Sequence, residues 1–327
     1  MAHRRVQLAE PLGGGRHSRQ EGEAVSPKPA LPNHAPENLS PQAAASLADT
    51  LPPVVLRGVR GSRSLSNLWS LIFNFGCRDL KTKFKGSVLG WLWSLVVPLA
   101  TLAIYSVVFS IIFRADPPAL GNGRSGIFVL WLFCGLTAWT FFQSTFNQGI
   151  NSLVNTGQLL QKVYFPAYAP VLGSTVAVGV QSLIELGLLV VFFLLLLNVG
   201  FTWLLIPLWV AVFLVFTTSL ATAVAVLNIY YRDLAHLVTI GLQLWFYLTP
   251  VIYPLSMVPE SWNGLPLKTM LQLNPLTQFL ELFRALIYEL KWGSWQMWAY
   301  VSGWTLAAWL LALVVLRCKG ADLGEHV

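Results

Sequence analysis

The chain has 327 residues, of which 55% are hydrophobic and only 11% are charged, and its mean hydropathy is +0.61. Soluble domains typically carry about 25% charged residues, so this composition excludes a soluble globular protein and indicates an integral membrane protein. The formal net charge is +7, and its uneven distribution points to orientation in a membrane rather than to a nucleic-acid partner.

Residues 1–64 differ in kind from the rest of the chain. They are rich in Pro, Gly, Ser and Ala and show no apolar period, which predicts a disordered cytoplasmic extension. No apolar stretch follows the early arginines, so the segment does not read as a secretory signal. It is either a tether or a dispensable extension. Residues 65–327 are predicted to form the transmembrane domain.

Residues 67–85 predict an amphipathic helix. On a helical wheel the apolar residues from Trp69 to Phe84 fall on one side, and the basic residues fall opposite. The run is too polar to span a membrane, whereas basic amphipathic helices lie on anionic membrane surfaces. The predicted interfacial helix and cytoplasmic entrance include Trp69, Arg78, Asp79, Lys81, Lys83 and Lys85.

Six apolar segments follow, each long enough to cross a hydrocarbon core of roughly 30 Å. They lie near 88–113, 127–146, 171–199, 203–228, 234–253 and 295–316. Backbone polar groups must be paired inside lipid, and the alternation typical of barrel strands is not visible, so these segments are predicted to be helices. The predicted fold is an all-α integral membrane protein with six transmembrane helices.

The distribution of Lys and Arg predicts the orientation. If the N-terminus is inside, the inner loops carry Arg78, Lys81, Lys83, Lys85, Lys162, Arg232, Arg317 and Lys319. The outer loops then carry Arg114, Arg124, Lys268, Arg284 and Lys291. The inner excess predicts that both termini are cytoplasmic.

The loop between the fifth and sixth predicted spans is strongly apolar. Asn274 and Pro275 are typical of a helix N-cap followed by proline at the first helical position. Apolar residues then recur at helical spacing up to Leu290. This helix is too short to span, and the sequence leaves open whether it is re-entrant or lies as a lid on the outer surface.

Motifs for enzymatic chemistry are missing from the sequence. It has no G-x-x-x-x-G-K-[ST], no H-E-x-x-H and no C-x-x-C, so neither an ATPase site nor a metal site is predicted. Outer loops lack the paired acids that a transferase acting on lipid-linked sugar would need. An enzyme is therefore disfavoured, and no cofactor is expected on this chain.

Glu185 is the one acidic residue deep inside a predicted span. Carboxylates within membranes are costly and usually face a cavity or a partner. A proton-coupled transporter would use such a group, although relay partners are not evident. A hydrogen-bonded glutamate at a helix contact is the competing interpretation.

Four stretches, in this order, resemble one known family. They are RDLKTKFKGSVLGWLWSLVVPL (78–99), LLQKVYFPAYAPVL (159–172), NIYYRDLAHLVTIGLQLWFYLTPVIYP (228–254) and LNPLTQFLELFRALIY (273–288). Together they resemble the permease subunits of bacterial polysaccharide exporters of the ABC-2 type, which move O-antigen, capsular polysaccharide or teichoic acid. The long N-terminal arm departs from that family's usual short tail, and Ala167 stands where a basic residue is common.

The resemblance implies a half-transporter in the bacterial inner membrane. Two copies would form a channel for a lipid-linked polysaccharide, and two separate cytoplasmic subunits would bind ATP and magnesium. It implies that residues 155–168 couple to the ATPase, with Tyr164, Phe165 and Pro166 as an aromatic anchor and Lys162 at its rim. Arg232 and Asp233 would form a second contact.

The resemblance also implies that the first and fifth spans line the channel. Aromatic planes can stack on the C–H faces of sugars, so the predicted path residues are Tyr105, Phe109, Trp245, Phe246 and Tyr247. The repeated Arg-Asp-Leu at Arg78 and Arg232 suggests two cytoplasmic hinges of this path. Export of a small lipophile or drug by the same fold is the alternative.

Overall fold

The computed structural model describes residues 65–83, 85–86, 89–112, 118–157, 165–262 and 264–320. The regular structure of these residues is helical. The α-helices are α1 Leu65–Lys83, α2 Trp93–Ser106, α3 Phe128–Asn155, α4 Tyr168–Leu195, α5 Ile206–Tyr230, α6 Leu234–Leu248, α7 Leu267–Gln272, α8 Pro275–Ile287 and α9 Trp295–Lys319. In these ranges the only strand-like pairing is an isolated bridge between Trp262 and Leu265. The predicted all-α class is therefore confirmed for the described residues. The predicted extension, residues 1–64, lies outside the described residues.

Five helical segments are long and apolar enough to cross a membrane: Gly90–Phe109, Phe128–Asn155, Tyr168–Leu195, Phe201–Tyr230 and Trp295–Lys319. They correspond to five of the six predicted spans.

The remaining predicted span, 234–253, is helical only as far as Leu248. Its helix α6 has 15 residues and is therefore about 22 Å long. It ends at Leu248 because a residue before proline disfavours the helical conformation. Thr249, which precedes Pro250, is extended with φ −105° and ψ 133°.

Helix α2 is irregular along its length. A 3-10 turn precedes it and a π-helical segment, Val107–Ile112, follows it. Pro98 lies inside α2 and has no N–H, so the carbonyl of Ser94 loses its usual helical donor. Gln181 Nε2 of α4 donates to that carbonyl over 3.2 Å. A neighbouring helix thus replaces the backbone hydrogen bond that proline removes.

Helix α8 is buried in the bundle rather than lying on its surface. Trp209 of α5 stacks on Phe213 with ring centroids 4.8 Å apart and on Phe283 of α8 at 4.4 Å. Phe279 of α8 contacts Phe213 at 5.0 Å and Phe216 at 4.9 Å. Each such aromatic pair contributes about 0.5–1.5 kcal/mol beyond its buried area. The aromatic packing of α8 against α5 is therefore part of the hydrophobic core.

The predicted N-cap of α8 is confirmed. Asn274 Oδ1 accepts a hydrogen bond from the backbone N–H of Leu276 over 3.1 Å, and Pro275 is the first helical residue. Asn274 Nδ2 also donates to Thr249 Oγ1 over 2.9 Å. The cap residue thereby connects the C-terminal end of α6 to the start of α8.

Helix α1 packs on the first half of α4. Ile72 and Phe75 are buried there, and a Cβ on Gly173 would meet Phe75 and the carbonyl oxygen of Ile72. Trp69 and Phe73 remain 69% and 62% exposed. The apolar side predicted for this helix is thus divided, with one part on the protein and the other free to enter lipid.

Candidate functional site

A cavity of about 460 Å³ lies between α2, α3 and α6, with one residue contributed by α4. Helices α2 and α6 make few contacts with the rest of the bundle, which leaves this space open. Its aromatic lining is Tyr105, Phe133, Trp139, Phe246 and Tyr247. Its polar lining is Thr101, Thr137, Thr140, Gln143, Glu185, Thr239 and Gln243. Polar side chains within apolar helices usually face a cavity or a partner, as they do here.

The predicted path residues divide into two groups. Tyr105, Phe246 and Tyr247 line the cavity. Phe109 instead stacks on Phe128 with centroids 5.0 Å apart, and Trp245 Nε1 donates to Asn274 Oδ1 over 3.0 Å. The structure therefore brings three of the five together, and the other two pack within the bundle.

The polar half of the cavity escaped the sequence analysis. Thr239 and Gln243 are one turn apart on α6, and Thr140 and Gln143 are one turn apart on α3. This spacing within apolar segments was the available signal, because residues three or four apart share a helix face. Gln243 has no hydrogen-bond partner among the described residues, so its amide is available to a ligand.

Glu185 is held at the cavity by a second residue that sequence reasoning missed. Gln181 Nε2 lies 3.4 Å from Glu185 Oε1, while Gln181 Oε1 accepts from Lys83 Nζ over 3.3 Å. With its bond to Ser94, this one amide connects α1, α2 and α4. Glu185 is thus linked, through Gln181, to the basic end of the interfacial helix.

The predicted entrance residues lie along α1 and just beyond it. Arg78 Nη2 pairs with Asp79 Oδ1 at 2.9 Å, and both side chains are partly exposed, so this pair contributes little to stability. Lys81 and Lys85 are exposed. Desolvation of its ammonium group lowers the pKa of Lys83, and the Glu185 carboxylate opposes that shift. The structure therefore groups the basic residues at one end of α1.

The predicted coupling segment differs from expectation at Phe165. Its ring is buried against Phe75 of α1, with centroids 5.6 Å apart, so it is not an exposed anchor. Pro166 is half-buried, and Arg232 and Asp233 are exposed. Two further predicted residues, Lys162 and Tyr164, lie outside the described residues. The apolar faces of α1 and α4 draw Phe165 inward, because burial of an aromatic ring is favourable.

Arg284 is the largest departure from the sequence analysis, which counted it as an outer-loop charge. It is 1% exposed, and its Nη1 and Nη2 donate to the carbonyls of Pro250 and Val251, each over 2.8 Å. Nη1 also lies 3.1 Å from Glu281 Oε1. Burial lowers the pKa of Arg284, and Glu281 opposes that shift. Arg284 therefore fastens the loop after α6 to α8.

The guanidinium of Arg284 also faces α3. It lies over the ring of Trp131, 3.5 Å from the centroid, in a cation–π arrangement. Gly135, one turn along α3, leaves the space that the guanidinium occupies, since a Cβ there would meet Arg284 Nη2. Helix α3 thus provides both the aromatic face and the gap that this buried cation requires.

Comparison with known proteins agrees with this architecture. Residues 70–288 match the ABC-2 type transporter family. The chain is 33% identical over 238 residues to the O-antigen export system permease protein RfbA of Myxococcus xanthus, covering 71% of this chain and 85% of the relative. A protein of the same name from Klebsiella pneumoniae is 28% identical over 255 residues, covering 77% and 92%. The resemblance inferred from the sequence is confirmed, and the chain belongs to the ABC-2 type transporter family.

Proposed function

We propose that this chain is the membrane-spanning subunit of an ATP-driven exporter that moves a lipid-linked polysaccharide out of the cytoplasm. The cavity between α2, α3 and α6 carries this proposal, because it combines aromatic faces with amide and hydroxyl groups. Rings can stack on the C–H faces of sugars, and a few placed polar groups orient a ligand in such a site. The names of the similar O-antigen export permeases support the same substrate class.

The proposed exporter contains two copies of this chain and two cytoplasmic ATPase subunits that bind ATP and magnesium. Helix α6 exposes an apolar stripe at helical spacing: Leu237, Ile240, Leu244 and Leu248. A second copy seated there would enclose the cavity on the side where this chain leaves it open. Apolar side chains on α2, including Val97 and Ile104, extend the same exposed surface.

The proposed arrangement in the inner membrane has six crossings with both termini cytoplasmic. Helix α6 and the extended residues after it would form the fifth crossing, and α8 would be a re-entrant helix on the outer side. The burial of Arg284 supports the orientation, because a buried cation bound to carbonyls is not a loop charge. The Lys and Arg excess of the inner side is then larger than the sequence alone indicates.

The proposed ATPase contact comprises Lys162, Tyr164, Pro166, Arg232 and Asp233, with Phe165 acting indirectly by holding α1 in place. Replacing Lys162 and Arg232 with Glu is expected to abolish co-purification of the ATPase while the chain still inserts. Lys291→Glu is the matched control, because that exposed lysine lies on the opposite side in the proposed topology. Retention of the ATPase by the double variant would contradict the contact.

The hinge hypothesis concerns the two Arg-Asp-Leu sequences. Arg78→Ala and Arg232→Ala are each expected to impair export without loss of insertion. Normal export by both variants would leave these residues only the role of anchoring the helices to the inner surface.

Photo-crosslinking tests the proposed path directly. Benzoylphenylalanine placed at Tyr105 or Tyr247 in exporting cells is expected to become attached to the polysaccharide. The same probe at Trp304, an exposed aromatic position on α9, serves as the control. Equal labelling at all three positions, or labelling at Trp304 alone, would contradict the path.

Export of a small lipophile is the alternative, and one observation favours it. A second cavity of about 140 Å³ has an almost wholly apolar lining, with Phe141, Leu186, Trp209 and Phe213 among its residues. A polysaccharide would find few hydrogen-bond partners there. Crosslinking of a hydrophobic dye at Leu186, with no glycan attached at Tyr247, would favour this alternative.

A further inference from the structure

The described lining of the cavity between α2, α3 and α6 carries one acidic side chain and no basic one. Among the described residues that line it, Glu185 is the single formally charged side chain, and neither lysine, arginine nor histidine takes part. The remaining polar groups are amides and hydroxyls, which can both donate and accept hydrogen bonds. A ligand in this cavity therefore meets hydrogen-bonding groups and one carboxylate.

Two contacts offset part of the cost of burying a carboxylate at Glu185, which is 6% exposed. Its Oε1 accepts from the Gln181 amide, whose oxygen in turn accepts from the Lys83 ammonium. A hydrogen bond to the carboxylate and a nearby cation both stabilise the ionised state. Glu185 Oε2 has no hydrogen-bond partner among the described residues and is free to accept from a sugar hydroxyl.

The basic groups are located elsewhere. Arg78, Lys81, Lys83 and Lys85 lie at the end of α1 and immediately after it, and all four are exposed. A phosphate on a lipid carrier can bind to such a cluster. Lys83 donates to Gln181 Oε1, but none of these four basic residues lines the cavity.

We propose that the polysaccharide passing through this cavity is a neutral glycan, and that Glu185 selects against glycans bearing uronate or phosphodiester groups. The proposal rests on the proposed function and adds the charge class of its substrate. Neutral sugar hydroxyls donate to the Glu185 carboxylate, whereas an anionic repeat unit meets like charge, and no cation among the described lining residues offsets it. At the effective dielectric constant of a buried site, that repulsion weakens binding by about tenfold or more.

The test uses the full chain in lipid nanodiscs, with benzoylphenylalanine at Tyr247 as a reporter inside the cavity. Fluorescent mannohexaose and fluorescent hexagalacturonate are the neutral and acidic probes, and the half-maximal concentration for crosslinking is measured for each. A reporter inside the cavity separates this binding from binding of the acidic probe to the exposed lysines of α1. We expect mannohexaose to label at a concentration at least about tenfold lower.

Three variants complete the test. Glu185→Gln keeps the shape and is expected to bring the two half-maximal concentrations within about twofold, and Glu185→Lys is expected to reverse their order. Glu260→Gln makes the same change at a side chain that is 88% exposed, outside the cavity, and is expected to leave the ratio unchanged. Equal labelling by both probes in the unsubstituted protein, or a ratio that Glu185→Gln does not change, overturns the proposal while the glycan path stands. Labelling by neither probe overturns the path as well.

Discussion

Two buried charges in this protein have opposite surroundings. Arg284, on α8 and facing α3, contacts two carbonyls, a carboxylate and an aromatic face. Glu185, beside the cavity, has one long hydrogen bond from Gln181 and an oxygen left over. A charge whose bonds are nearly all made holds a structure together, whereas one with capacity to spare can bind something else. We therefore expect changes near Arg284 to lower stability, and changes around the cavity to alter transport.

Arg284→Met is expected to have the largest effect on stability. It leaves the carbonyls of Pro250 and Val251 buried without donors, and losing a buried charge with its bonds costs about 3 kcal/mol or more. The melting temperature of the detergent-solubilised chain, followed by size-exclusion chromatography, measures it. Lys268→Met is the control, because its pairing with Glu260 at 3.6 Å is exposed. Equal melting temperatures for the two variants would contradict the role of Arg284.

Gly135→Ala tests the same region from α3. The new methyl group would collide with Arg284 Nη2 and lie 3.0 Å from the Val251 carbonyl oxygen. Overpacking of this kind costs about 1–3 kcal/mol, so the melting temperature is expected to fall. Gly187→Ala has nothing within 4 Å of the new Cβ and is expected to hold or raise it, since alanine is the better helix former. An unchanged melting temperature for Gly135→Ala would show that the arginine can shift without loss.

Gly173→Ala moves the comparison to the interfacial helix. Its Cβ would meet Phe75 and lie 3.0 Å from the Ile72 carbonyl oxygen, so α1 must shift on α4. We expect a smaller fall in melting temperature, because α1 lies at the edge of the bundle, and a several-fold fall in export. Gly179→Ala, on the same helix with nothing within 4 Å, is the matched control. Equal export by both variants would separate α1 from transport.

Gln243→Leu is expected to have the smallest effect on stability. The amide has no partner among the described residues, so its loss is expected to change the free energy of unfolding by no more than about 0.5 kcal/mol. Crosslinking of mannohexaose at Tyr247 is expected to weaken, because a hydrogen-bonding group leaves the cavity. Gln296→Leu makes the same change at an exposed position on α9. A lower melting temperature with undiminished crosslinking would place Gln243 in the structural part of the molecule.

The class and most of the spans could be predicted because lipid restricts the backbone to few solutions. The N-cap at Asn274 was also a local signal. The end of α6 was visible in the sequence as well, since Thr249 precedes Pro250, but the apolar run continues to Tyr253 and concealed it. Hydropathy indicates whether a segment prefers lipid or water, and it does not indicate the residue at which a helix ends.

The site was less predictable because it depends on contacts between distant segments. Tyr247 and Trp245 are both aromatic and only two residues apart, yet Tyr247 lines the cavity whereas Trp245 donates to Asn274. Arg284 reads as a loop charge until its carbonyl partners, more than thirty residues earlier in the chain, are known. The helical spacing of Gln181 and Glu185 can be recognised in the sequence. The hydrogen bond from Gln181 to the carbonyl of Ser94, 87 residues away, cannot be recognised there.

That bond has a consequence for how the two helices can change through evolution. Pro98 deprives the Ser94 carbonyl of its donor, and Gln181 provides the replacement. If a relative has a residue other than proline at position 98, a backbone N–H can again donate to the carbonyl of residue 94, and the glutamine at position 181 is no longer required as its donor. If the glutamine changes first, the carbonyl is left without a partner. We therefore expect positions 98 and 181 to covary among related permeases. The link between them is indirect, because Gln181 bonds to the Ser94 carbonyl and not to Pro98.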